Sequence, residues 1–341
     1  MITISACMIV RNEEQILARA IDCLKNIAEE IIVVDTGSTD DTKAIARRLG
    51  AKVYDFAWRD DFAAARNFSF SKAAMEYIYS ADADEIIDQL NQLKFLNLKQ
   101  NLLPEIDIVQ MKYANQLQMG TIYNFDTEYR PKLFRRVRTF TWVDQVHETV
   151  DTGVRVFDSE ITVIHNPAEL HASRDLSIFR QVARPGNALS ARMHRLYAQE
   201  LFVAGADHDF LDAYAYFEWT LHQEHMDTGA IQQSQCVAAR CCNLRGDVQG
   251  LFKVALKNMI GKPCAEVCCE LGAYYMFVQD YEEAATWYYT AAFGAESELT
   301  VHSSGDMPLQ KLSDCCLKLG NREEAAKYKK LVSDWNISQP K

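Results

Sequence analysis

The sequence predicts an α/β domain followed by an all-α domain of paired helices, and three observations carry that prediction. From Met1 to about Ala81, short apolar runs alternate with amphipathic ones, as strands and crossover helices do. Every polar cluster of interest in this half follows the end of an apolar run. After Asn166-Pro167 strand signals largely stop, and similar motifs recur at a spacing suited to helix pairs. Residues 1–168 are therefore expected to form the α/β domain and residues 169–341 the helical one.

In chain order, Ile2 to Val10, Ile31 to Asp35, Lys52 to Phe56 and Tyr77 to Ala81 read as strands. Helical spacing runs through Glu14 to Ile27, Thr39 to Leu49 and Asp61 to Ala74. Strict alternation implies parallel strands with right-handed crossovers, and such sheets bind ligands beyond the carboxyl ends of their strands. Asn12 and Glu13 follow the first strand, Asp35 ends the second, Trp58 to Asp61 follow the third, and Asp82-Ala83-Asp84-Glu85 end the fourth. Further short strands are expected at Ile106 to Lys112, Gly120 to Phe125, Lys132 to Arg136 and Ile161 to His165.

In the helical half the landmarks are Gly246-Asp247, Gln279 to Ala285 and Gly320 to Ala326. Ala284 and Ala325 stand where small residues let paired helices approach, with Leu251 in the comparable earlier place. The intervals are about 33 and about 41 residues, against about 34 for a tetratricopeptide repeat. The longer interval includes the polar stretch from Gly294 to Asp306.

At 341 residues, 48% hydrophobic and 24% charged, the chain has an ordinary globular balance. Its net charge of −11 opposes a broad nucleic-acid surface. No stretch approaches the run of about 18 apolar residues that spans a bilayer. Met1 to Val10 reads as a core strand, not an export signal. Six of the ten cysteines form the adjacent pairs Cys241-Cys242, Cys268-Cys269 and Cys315-Cys316. They read as small buried side chains in a reduced, cytoplasmic protein.

Carboxylates one residue apart at a strand end can hold a hard divalent cation and leave its other positions to a phosphate. Such a patch also suits simple solvation or a helix dipole. In Ile31 to Thr42, Gly37 supplies turn freedom and Ser38, Thr39 or Asp40 can cap a helix. Capping does not account for Asp35, whose carboxylate can accept the imide N–H of uracil. Arg130, Lys132, Arg135, Arg136 and Arg138 form a basic run, read either as a solvated face or as counter-charge for a diphosphate.

Cys7 to Glu14, Val33 to Asp40, Trp58 with Asp61 to Asn67, and Asp82 to Glu85 together resemble family 2 glycosyltransferases. The resemblance continues through Pro131 to Arg135 and Trp142 to His147-Glu148. These are similar to stretches of a bacterial branch that often appends tetratricopeptide-like helices and includes peptide glycosyltransferases modifying bacteriocins of the sublancin type. The resemblance implies a GT-A nucleotide-sugar-binding domain with a Rossmann-like mixed sheet.

It further implies that Asp35 and the turn Val10, Arg11, Asn12 and Glu13 hold the uridine, with Arg66 and Asn67 near the nucleotide. Asp84, with Asp82, would bind Mg2+ or Mn2+ on the diphosphate of a UDP-sugar, and Ala83 and Lys132 would lie on the nucleotide side. Glu148 is the expected base, with Asp144 as the alternative. His147 is either a metal ligand or a wall residue.

Lys132 stands where arginine is usual, Asp144 where glycine is usual, and Tyr79-Ser80-Ala81 where a more aliphatic strand is common. The expected activity is metal-dependent, inverting transfer from a UDP-sugar to a peptide or protein side chain, Cys or Ser/Thr. Polysaccharide or lipid-linked acceptors are the alternative, and a non-catalytic nucleotide-sugar-binding scaffold is the reading from another class. The helical half offers surfaces for a homodimer.

Overall fold

The computed structural model describes residues 1–114, 128–166, 172–224 and 226–335. The chain divides into two compact units, Met1–Leu170 and His171–Lys341. In the first, strands β1 (Ile4–Val10), β2 (Glu30–Asp35), β3 (Lys52–Asp55) and β4 (Tyr77–Ala81) alternate with helices α1 (Leu17–Leu24), α2 (Thr42–Arg48) and α3 (Phe62–Phe70). Then follow β5 (Glu85–Ile86), α4 (Gln89–Asn101), β6 (Ile108–Ala114), β7 (Glu128–Arg135) and β8 (Val156–His165). The sheet runs β3-β2-β1-β4-β7-β6-β8-β5.

Among β1 to β4 all neighbours are parallel, as alternation demands. Beyond β4 the sheet turns mixed, because β7 pairs antiparallel with both β4 and β6. The all-parallel sheet expected from alternation holds for that first half alone, and the mixed sheet implied by the resemblance describes the whole. Pro131 lies opposite Gln110, beside a register shift at Val109/Gln110. A residue without an N–H is tolerated where the ladder is already interrupted. Helix α4 is an element that the sequence reading lacked. The strand expected at Gly120 to Phe125 lies outside the described residues.

The core has a layer on each face of the sheet. Met8, Val10, Leu17, Ile21, Tyr79 and Phe95 belong to one layer, and Cys7, Ile32, Val34, Phe70, Phe134 and Trp142 to the other. The alternation of Cys7 with Met8 across β1 is the two-residue strand period.

The second unit begins with α5 (Ala172–Val182), α6 (Ala191–Ala204) and α7 (Asp207–Thr220). Three pairs follow: α8 (Thr228–Arg245) with α9 (Val248–Met259), α10 (Ala265–Phe277) with α11 (Tyr281–Phe293), and α12 (Asp306–Lys318) with α13 (Arg322–Asp334). Each pair turns in the same way. Gly246, Gln279 and Gly320 take φ of 68°, 65° and 80°. The next residues, Asp247, Asp280 and Asn321, accept the backbone N–H of Gly250, Glu283 and Glu324. A left-handed residue ends one helix and a short polar side chain starts the next.

Ala284 and Ala325 are buried as expected, and Gly272 has the same function, since a Cβ there would come within 2.8 Å of the Tyr288 ring. The longer interval has a cause in Glu266. This fully buried carboxylate accepts the backbone N–H groups of Glu298, Leu299 and Thr300, anchoring the extra segment between α11 and α12. Both members of each adjacent cysteine pair are buried, and all ten cysteines are free thiols.

Buried His194 sits between Tyr216, whose hydroxyl is 3.0 Å from Nδ1, and Ser234, whose Oγ is 3.1 Å from Nε2. Burial pulls its pKa down from 6.5 to about 4. Between those values the unfolded chain binds a proton that the folded chain does not. Stability is therefore full above pH 6.5 and falls by about 3 kcal/mol as pH drops toward 4. In urea titrations across this range, His194→Gln is expected to lose that part of the slope.

Candidate functional site

The carboxyl ends of β1 and β2 are tied together by side chains. Asn12, at φ 56°, donates its N–H to Ser38 Oγ at 2.9 Å and accepts the Thr39 N–H on Oδ1 at 2.8 Å. The Glu13 N–H donates to Thr42 Oγ1 at 2.8 Å, and Thr36 Oγ1 donates to the Val10 carbonyl at 3.1 Å. Arg11 stays exposed beside this turn.

Asp35 holds the turn as well, although it caps no helix, since the following helix starts at Thr42. Its Oδ1 accepts the N–H groups of Gly37 and Ser38, both at 3.0 Å. Gly37 has φ 111°, a conformation that favours glycine. The other oxygen, Oδ2, is buried with no hydrogen-bond partner among the described residues. A buried lone acceptor is costly unless something donates to it.

At the end of β4, Asp82, Asp84 and Glu85 meet two cations. The Arg66 guanidinium on α3 donates to Asp82 Oδ1 at 2.8 Å, to Ser80 Oγ at 3.0 Å and, through Nε, to Glu148 Oε1. It also lies 5.0 Å from the centre of the Trp142 ring. Lys132 on β7 places Nζ 2.5 Å from Glu85 Oε1 and 3.5 Å from Asp82 Oδ2. Burial alone would raise the Asp82 pKa, but Arg66 and Lys132 outweigh it and hold the carboxyl well below its usual range. Glu85 goes the other way. Burial, with repulsion from Asp82 and Asp84, pushes it up to about 8 against the pull of Lys132.

Asp84 differs from its neighbours. Its Oδ2 faces His165 Nε2 at 3.2 Å, while Oδ1 is buried with no partner among the described residues. Antiparallel pairing of Glu85 with His165 across β5 and β8 produces this contact, and the Asn166 N–H donates to the Asp84 carbonyl at 2.7 Å. Reasoning from sequence placed His165 at a strand end without assigning it a role. Its one signal in the sequence was a histidine closing an expected strand; the acidic motif lies 81 positions away and only the sheet brings the two together. Ala83 packs its methyl into the core.

The stretch after β7 closes over α3. Asn67 donates Nδ2 to the Trp142 carbonyl at 2.9 Å and accepts the Trp142 N–H on Oδ1 at 2.8 Å. Its amide, expected near the nucleotide, is thus engaged with the backbone. The Phe62 N–H donates to the Gln145 carbonyl, and Val143 bridges Thr149. Within that bridge Asp144 and His147 take φ of 73° and 50°. Glu148 follows at once and points its carboxylate at Arg66. The basic run disperses. Arg135 and Arg138 converge on Asp107, Arg136 donates to the Met75 carbonyl, and Lys132 reaches the acidic patch.

The cluster therefore holds four carboxylates, Asp82, Asp84, Glu85 and Glu148, against the cations Arg66 and Lys132. Carboxylates outnumber cations four to two, and with Glu85 protonated, as its raised pKa favours near neutral pH, one negative charge remains uncompensated. The oxygens of Asp82 already face Arg66 and Lys132. Asp84 and His165 are the pair that could offer a cation one oxygen and one nitrogen. Among the described residues no group of three or more His, Cys, Asp or Glu is arranged to hold a metal ion, so a cation on Asp84 and His165 would need its remaining ligands from phosphate and water oxygens.

Residues 5–167 match the family model described as Glycosyl transferase family 2. An uncharacterized glycosyltransferase of Rickettsia typhi is 37% identical over 133 residues, covering 37% of this chain and 41% of the relative. The SPbeta prophage-derived glycosyltransferase SunS of Bacillus subtilis is 32% identical over 149 residues, covering 43% and 34%. A TPR repeat-containing protein of Synechococcus elongatus is 47% identical over 85 residues, covering 25% and 21%. The matched stretches thus span well under half the length of these relatives. Among solved structures, glucosyl-3-phosphoglycerate synthase of Mycobacterium tuberculosis aligns over 53% of this chain and 77% of its own, at 18% identity and a TM-score of 0.41.

Two outcomes follow from the geometry. Arg66→Met strands Asp82 and Glu148 without their shared cation and is expected to cost about 3–5 kcal/mol in urea unfolding. At Asp144 the left-handed backbone sets the result. Asp144→Gly is expected to stay within about 0.5 kcal/mol of the wild type, and Asp144→Val to lose about 1–2 kcal/mol, by the same measurement.

Proposed function

We infer, from a first unit that belongs to glycosyltransferase family 2, that the chain transfers a sugar from a UDP-sugar to a Cys, Ser or Thr side chain of a peptide or protein. The reaction inverts the anomeric carbon and requires Mg2+ or Mn2+. One observation carries the metal reading: Oδ1 of Asp84, buried with no partner among the described residues, in a cluster where carboxylates outnumber cations.

Asp84 and His165 would hold the cation, with Asp82 alongside. When bound, the cation supplies Lewis acidity that stabilises the negative charge gathering on UDP. The remaining roles belong to this chain's own groups. Asp35 Oδ2 is oriented by the turn that engages its other oxygen, and accepts the uracil imide N–H. The Val10 to Glu13 turn frames the base. Glu148 takes the proton of the acceptor hydroxyl or thiol as it attacks in line. Arg66 fixes Glu148 and Asp82 through one rigid guanidinium, so the acceptor and donor sides share one reference point.

The helix pairs support a peptide or protein acceptor, since stacked pairs of this kind build surfaces suited to extended chains or helices. We place the protein in the cytoplasm on the packing of its adjacent cysteines as reduced core side chains. Separately, no described helix is long and apolar enough to cross a membrane.

The test is UDP release and sugar transfer with Mn2+ present, alongside thermal shifts with UDP, GDP and UDP-sugars with and without the metal. Asp84→Asn is expected to abolish the metal-dependent shift with UDP. Glu148→Gln is expected to keep UDP-sugar affinity and lower transfer by about 10²–10⁴-fold. Equal loss of donor binding would make Glu148 a donor ligand. Transfer that survives Glu148→Gln but fails in Asp144→Gly would assign the base to Asp144. A wild type that binds UDP and a peptide but turns over no UDP-sugar would be a scaffold.

A further inference from the structure

We propose that Lys132 and Glu85 form a buried positioning pair that aims the Asp82 carboxylate, and that Lys132 does not touch the donor diphosphate. This deepens the metal-dependent reading above and rests on it.

Lys132 is only 5% exposed. Its ammonium is committed to Glu85 Oε1 at 2.5 Å and Asp82 Oδ2 at 3.5 Å. The rings of Tyr79 and Tyr113 enclose it further, their centres 5.8 and 5.7 Å from Nζ. An ammonium so enclosed has little reach toward a phosphate outside the sheet. A compact point charge also suits this enclosure better than a planar guanidinium, which gives the lysine at this position a physical reason.

Glu85 completes the hold. Its Oε2 accepts the Asp82 N–H at 3.2 Å, and its own N–H donates to the Asp82 carbonyl at 3.2 Å. Glu85 thus fixes the Asp82 backbone while Lys132 and Arg66 fix the two side-chain oxygens. Glu85 is 5% exposed and its carboxylate is engaged by Lys132 and the Asp82 N–H, so it supports the metal site without entering it. Carboxylates that orient metal ligands from behind are common, and removing such support typically costs about 10–100-fold in metal affinity.

The test uses the full chain with Lys132→Met, and Lys132→Met combined with Glu85→Gln. Three quantities are read: thermal midpoint without metal, Mn2+ affinity by electron paramagnetic resonance, and UDP affinity without metal. Lys132→Met is expected to lower the midpoint and weaken Mn2+ binding at least about tenfold. The double variant removes both ionisable partners of the buried pair together and is expected to recover the midpoint. It is not expected to recover Mn2+ binding, and its metal-free UDP affinity should match the wild type.

Mn2+ binding restored in the double variant would reduce the pair to a structural one and overturn the proposal. Metal-free UDP affinity falling in step with Mn2+ affinity would make Lys132 a phosphate ligand and overturn it too. A double variant that fails to recover its midpoint would overturn the pairing. Should Lys132→Met not fold, the double variant decides alone. A wild type that binds no Mn2+ sinks the metal reading itself, a result seen before any variant is compared.

Discussion

The Arg66 guanidinium is the contact on which the first unit's site depends. It comes from a helix, reaches Asp82 at the end of a strand and Glu148 in a loop, and lies over the Trp142 ring. Burial of a guanidinium is tolerable only when its donors are met, and here Ser80 and two carboxylates meet them. Arg66 keeps its proton despite burial because those carboxylates outweigh the desolvation. The stretch carrying Glu148 is fastened to the same helix by Asn67, whose amide spans both peptide groups of Trp142. Adjacent residues thus have complementary tasks: Arg66 joins charges, and Asn67 joins backbones.

Around that contact the acidic residues are unequal. Asp82 is gripped on both oxygens, and Glu85 is closed off behind it. Asp84 is left with a buried acceptor facing no donor and a histidine on its other side. The four-residue motif thus separates into carboxylates already held by cations and one with an acceptor still unmet among the described residues. The same division appears at Asp35, where one oxygen builds the turn and the other awaits a donor. In both places the fold consumes half of the local hydrogen-bonding capacity to hold the other half still.

The second unit uses a simpler economy. Each helix pair turns through one left-handed residue followed by a side-chain cap, and the interval between pairs changes only where Glu266 gathers three backbone N–H groups. A buried carboxylate is an expensive way to anchor a segment, and its burial pushes the Glu266 pKa upward. It tolerates this position because successive peptide donors surround it. Close approach of α10 and α11 in turn rests on Gly272, where the Tyr288 ring occupies the space a side chain would take.

By itself the sequence determined most of the elements, α4 and β5 excepted, and the ends at which polar residues collect. Periodicity identified β1 to β4 and the helix pairs, and adjacency along the chain identified Asp82 to Glu85 and the turns around Asn12 and Gly37. These are local properties, set by side-chain spacing and backbone preference within a few residues. Tertiary structure decided the partners. Arg66 meets Glu148 across 82 positions and Asp84 meets His165 across 81. Lys132 turns inward to Glu85, while its basic neighbours Arg135 and Arg138 turn to Asp107. Such pairings depend on which strands lie side by side and in what register, and no local pattern encodes the order β4-β7-β6-β8-β5 that brings them together.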